Sequence, residues 1–135
     1  MGLSLDEKIK ICYKAVIDKK GDNVIILDLK KRTSFTDSFL ICSANSTRQV
    51  QSIADEIIKC LKLTGVKGIS VEGYLAGKWV LLDCLDIVVH IFHKEARNFY
   101  DIERLWEDAP LINPIVISDE TCDQLEVAET SKSLR

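Results

Sequence analysis

Residues 79–92 read WVLLDCLDIVVHIF, two β-rich runs that set two aspartates and a histidine among apolar side chains. Successive side chains of a strand point to opposite faces of a sheet, so alternation sorts the residues. A two-residue turn at Cys84 and Leu85 puts Asp83 opposite Asp86, Leu81 opposite Val88 and Trp79 opposite His90. One face of that hairpin carries Val80, Leu82, Cys84, Leu85, Ile87, Val89 and Ile91, all apolar, and is a natural floor for helices. The other carries Trp79, Leu81, Asp83, Asp86, Val88, His90 and Phe92. That mixture of aromatic, aliphatic and charged side chains suits a contact surface better than a helix-covered core.

The flanking segments supply the helices. Leu5, Ile9, Cys12, Val16 and Ile17 recur at helical spacing, with Ser4 or Asp6 as cap and Gly21 as stop. Two strands follow, NVIILDL at 23–29 and SFLICSA at 38–44, separated by a polar KKRTSFTD loop. A second helix begins at an Asn/Ser cap, carries Val50, Ile53, Ala54, Ile57, Ile58 and Leu61 on one stripe, and ends at Gly65. GISVEG at 68–73 makes a short third strand ahead of the hairpin. After it, KEARNFYDIERLWED predicts one helix with Ala96, Phe99, Ile102 and Trp106 on its apolar face, ended by Pro110. The order αββαβββα calls for an α/β fold: a mixed sheet of about five strands with three helices. Residues 1–110 form the expected domain. Residues 111–135 are an acidic tail of little periodicity, expected to be mobile, in which PIVIS at 114–118 is a candidate edge strand.

Composition narrows the function. A formal net charge of −3 and a pI near 5.4 disfavour gripping bare nucleic acid and favour basic partners. Five cysteines, odd in number and never spaced CxxC, suggest neither a disulfide framework nor a zinc site, and suit a reducing cytoplasm. Neither a signal peptide nor an apolar run of the ~18 residues needed for a membrane span is expected. Singly, each polar residue of the hairpin has a plain role. His90 reads as a hydrogen-bonded packing residue, Asp83 and Asp86 as turn formers, and Trp79 as core or contact in equal measure.

In combination the motifs are more specific. TDSFLICSANSTRQVQSIAD at 36–55, VEG at 71–73 and KWVLLDCLDIVVHIFHKEARNFYDIERLW at 78–106 together resemble the ribosomal silencing factor family, also called RsfS or Iojap. The resemblance runs over roughly residues 5–108. It implies a nucleotidyltransferase-like fold without catalysis. It also implies binding to a large-subunit ribosomal protein at the intersubunit face, which hinders subunit joining and lowers translation when nutrients run short. The matching positions include Asp37, Cys42, Ser43, Asn45, Ser46, Arg48, Glu72, Gly73, Trp79, Asp83, Asp86, His90, Glu95, Arg97, Tyr100, Glu103 and Trp106.

Among these, Asn45 and Ser46 fit a helix cap and Trp106 a core position. The expected partner-binding set is Trp79, Leu81, Asp83, Asp86 and His90 on the mixed face, with Arg97 and Tyr100 at its border. The partner is expected to be a basic ribosomal protein, with a weak homodimer on the same face when the partner is absent. No membrane association, specific nucleic-acid binding, metal or cofactor is expected. The rival reading is a metal-dependent nucleotidyltransferase. That chemistry needs a Gly-Ser turn before a helix and two carboxylates one residue apart on a strand. This chain offers CSANS and the pair Asp83 and Asp86, three apart across a turn.

Overall fold

A computed structural model describes residues 3–113. The elements are α1 (Leu5–Asp18), β1 (Asp22–Asp28), β2 (Ser38–Ala44), α2 (Thr47–Leu63), β3 (Ser70–Glu72), β4 (Trp79–Asp83), β5 (Ile87–His93), α3 (Lys94–Tyr100) and α4 (Ile102–Leu105). Local chemistry sets the helix starts. Ser4 and Glu7 form a reciprocal capping box, and Ser46 Oγ accepts from the Gln49 amide.

The strands form one mixed sheet in the order β1-β2-β5-β4-β3. Its central pair, β2 and β5, is parallel, and the remaining pairs are antiparallel. Parallel neighbours need a long crossover, and α2 with the β3–β4 excursion provides it. That excursion leaves β3 at one edge of the sheet. The opposite edge, β1, is covered by the chain after α4: Leu111 bridges Leu27, and the Ile112 amide donates to the Ile26 carbonyl. The ordered sheet therefore reaches past Pro110. The strand expected at 114–118 lies outside the described residues.

The α1 and α2 helices bury one face of the sheet. Ile9, Cys12, Val16, Val50, Ile53, Ile57 and Leu61 close over Ile26, Leu40, Cys42, Val80, Leu82, Val89 and Ile91. The other face is covered in part. Ala96, Ile102, Trp106 and Ala109 pack on Leu27, Phe39, Ile41, Val88 and Phe92, columns β1, β2 and β5. On this second face α3 reaches β4 through Tyr100 against Trp79, and the rest of β4 and β3 carries no helix among the described residues.

Two sequence expectations change. The hairpin pairs Trp79 with Phe92, Leu81 with His90 and Asp83 with Val88, so its register is two residues away from the expected one. Cys84 is buried and its amide donates to Ile87, which moves the turn to Leu85 and Asp86. Leu85, expected on the helix floor, stands 72% exposed in the left-handed region at φ 75°. A shift of two preserves the alternation within each strand, so the faces of β4 and β5 are as expected, whereas both turn residues, Leu85 and Asp86, leave theirs. The last helix is divided at Asp101, which sits at φ 50° and ends α3 before α4 begins. The break rotates Phe99 off the apolar stripe, and it is 80% exposed.

Candidate partner-binding face

The uncovered half of the sheet is built from β4 and β3. Ladder partners share a face, so Ser70 stands beside Asp83 and Glu72 beside Leu81. The result is a strip with half-buried Trp79 and Leu81 along β4, flanked by exposed Asp83 and Glu72. Gly73 holds the approach of β3 to β4. Its φ is +79°, and a Cβ there would lie 2.2 Å from the Trp79 carbonyl oxygen.

An aromatic cluster fixes the Trp79 end of the strip. The indole ring stacks on Phe92 at 4.9 Å between centroids and meets Tyr100 of α3 at 4.8 Å. Its Nε1–H donates to His90 Nδ1 at 3.1 Å. Beneath it His90 is only 4% exposed, against Phe39 at 4.4 Å. Burial pushes the imidazole pKa down to about 4, so the ring is neutral near pH 7. With Nδ1 accepting, the proton resides on Nε2, which is buried without a hydrogen-bond partner.

Of the seven residues expected at the site, the structure brings Trp79, Leu81, Asp83 and Tyr100 to one surface and sets His90 under it. Asp86 and Arg97 are elsewhere. The Asp86 carboxylate lies 2.9 Å from Lys8 Nζ of α1, on the helix-covered side. Its expected opposition to Asp83 is corrected by the shifted turn. Arg97 is 8% exposed. It forms a two-pronged pair with Glu103 at 2.9 and 3.3 Å, donates to Ser43 Oγ at 2.8 Å and reaches the Asn23 carbonyl. It thereby ties α3 and α4 to β1 and β2. Asp83 also shapes the turn, its carboxylate accepting from the Leu85 amide at 3.0 Å. Val88 and Phe92, expected on the open face, are covered.

Glu72 joins this strip without having been expected on it. It lies in the VEG motif, but a three-residue strand has no alternation long enough to give its face, and only the register with β4 does.

The surface offers apolar contact between carboxylates. Among the described residues no group of three His, Cys, Asp or Glu side chains is placed to hold a metal, and no helix is long and apolar enough to cross a membrane. The start of α2 is occupied by its own cap, with the Ser46 hydroxyl on the Gln49 amide and the Gln49 side chain on the Asn45 amide.

Comparison with known proteins agrees with the motif reading. The model of the family described as ribosomal silencing factor during starvation matches residues 3–134. The ribosomal silencing factor RsfS of Halalkalibacterium halodurans is 43% identical over 110 residues, covering 82% of this chain and 94% of that protein. The Bacillus subtilis RsfS is 43% identical over 103 residues, covering 76% and 87%. A crystal structure of a Chromobacterium violaceum protein superposes with a TM-score of 0.76 at 37% identity, covering 78% of this chain and 88% of that one. With nearly the whole sequence matched and the fold shared, the chain belongs to the ribosomal silencing factor family.

Proposed function

We propose that this protein is a non-catalytic repressor of translation. It binds a basic protein on the intersubunit face of the large ribosomal subunit and keeps the small subunit from joining. The observation that carries this reading is the uncovered strip of β4 and β3, where Trp79 and Leu81 lie between the carboxylates of Asp83 and Glu72. An aromatic anchor already held by its neighbours loses little freedom on binding. The carboxylates favour lysine or arginine on the partner and speed its approach at low salt. No chemistry is needed for the block. A folded domain of this length has a radius of gyration of about 14 Å, too large for a close subunit interface to accommodate. The family names of the relatives support action on the ribosome, and with it a cytoplasmic setting. Without the ribosomal partner, the same strip forms a weak homodimer, detectable by light scattering at high concentration and lost in Trp79→Ala.

The test is binding to purified large subunits together with a reconstituted joining assay. Trp79→Ala should weaken binding by about 2 kcal/mol or more. Asp83→Lys should do the same through repulsion. Both should restore joining with circular dichroism unchanged. If both folded variants bind and block as the wild type does, the proposed face is wrong. Incubation with nucleoside triphosphates and magnesium should give no nucleotidyl transfer.

A further inference from the structure

The net charge of −3 hides a cationic end. Lys20 follows α1, Arg48 lies in the first turn of α2, Lys78 precedes β4 and Lys94 opens α3. The fold gathers these four segments where the parallel strands β2 and β5 finish. Gln49, next to Arg48, donates to the Lys20 carbonyl at 2.9 Å. Gly77 abuts Thr47, so closely that a Cβ there would lie 2.2 Å from the Thr47 methyl. The His93 amide donates to the Lys78 carbonyl at 2.9 Å, which sets Lys94 beside Lys78. All four cations are exposed. No ion pair involves any of them among the described residues. Lys94 shares a surface pocket with Glu95, Arg97 and Glu103, and there the carboxylate of Glu103 is already neutralised by Arg97.

Arg48 is the least explained of the four. The first turn of α2 contains no acidic residue, and a cation there opposes the helix dipole. In the NSTR motif Ser46 caps the helix and Thr47 packs against Gly77, whereas Arg48 is exposed and enters no ion pair among the described residues. A cation placed at a cost to its own helix suits an anion outside the molecule. This end adjoins the Trp79 end of the open strip, since Lys78 directly precedes Trp79.

We propose that Lys20, Arg48, Lys78 and Lys94 form a second contact surface that grips phosphates of ribosomal RNA, beside the protein met by Trp79. This rests on the reading of the chain as a ribosome binder. The contact is to the backbone and carries no sequence preference. It divides the labour: the acidic strip meets a basic protein, and the cationic end meets the RNA in which such a protein is set.

A photoreactive benzophenone amino acid placed at Lys94, and separately at Ser70 on the open strip, tests this with the full chain and purified large subunits. The probe at 94 should give a product destroyed by ribonuclease, and the probe at 70 a product with a ribosomal protein. If the probe at 70 captures protein while that at 94 gives no RNA product, the inference falls and the ribosomal reading stands. If neither probe captures anything, the ribosomal reading fails and takes the inference with it. The paired change Arg48→Glu with Lys94→Glu should lower the slope of log affinity against log salt by about two. That amounts to about a tenfold smaller loss between 50 and 200 mM salt. Wild-type affinity and slope in this variant would overturn the proposal.

Discussion

The indole N–H of Trp79 donates to Nδ1 of His90 across 3.1 Å, joining neighbouring strands on one face of the sheet. The bond uses the one polar atom of the tryptophan side chain inside the protein and leaves the ring as an apolar anchor. It also fixes the imidazole tautomer. Trp79→Phe keeps an aromatic ring over Phe92 but leaves a buried acceptor unpaired. It should therefore lower unfolding stability by about 1–2 kcal/mol in urea titration. Trp79→Ala should lose more binding than Trp79→Phe.

His90 makes stability depend on pH. Its folded pKa is depressed to about 4 by burial, below the ordinary 6.5, so the unfolded state binds the proton more readily. The contribution is fully present above pH 6.5, is lost as pH falls toward 4, and is constant below that. It amounts to about 3 kcal/mol at most. Urea unfolding at pH 7.5 and 4.5 should show a larger loss for the wild type than for His90→Phe, which cannot take up the proton.

The buried Arg97 predicts a stability effect where a surface residue would predict a binding effect. Glu103→Ala leaves the guanidinium uncompensated in its niche and should cost about 3 kcal/mol in urea unfolding. Tyr100, carried by the same helix, should lose its order against Trp79, seen as a change in tryptophan fluorescence. Lys94→Ala on that helix should leave stability nearly unchanged.

Asp83 and Asp86 should separate cleanly. Asp86→Ala breaks the pair with Lys8 and should cost about 1 kcal/mol of stability, with ribosome binding intact. Asp83→Lys should weaken binding by about 2 kcal/mol or more, while the lost turn hydrogen bond to the Leu85 amide costs about 1 kcal/mol of stability. Equal binding loss in both variants would argue against the observed placement of the hairpin.

The sequence by itself determined the element order, the helix caps and the two faces of the hairpin, because these depend on periodicity and on contacts within a few residues. The stripe from Val50 to Leu61 and the alternation within Val80–Leu82 and Ile87–Ile91 lie where they were expected, and the motifs named the family. The turn was not legible. Cys84–Leu85 and Leu85–Asp86 both give an apolar floor, and among the contacts of the observed turn is the pair of Asp86 with Lys8, 78 residues away along the chain. The division at Asp101 was hidden as well, since the heptad-like spacing of Ala96, Phe99, Ile102 and Trp106 continues across it. Arg97 reads as a surface cation until Glu103, Ser43 and Asn23 close around it. Glu72 gains its place beside Leu81 only from strand register, and Lys20, Arg48, Lys78 and Lys94 become one surface only when four distant segments meet. Burial of a charge and clustering of charges depend on long-range packing, and that is what tertiary structure decided.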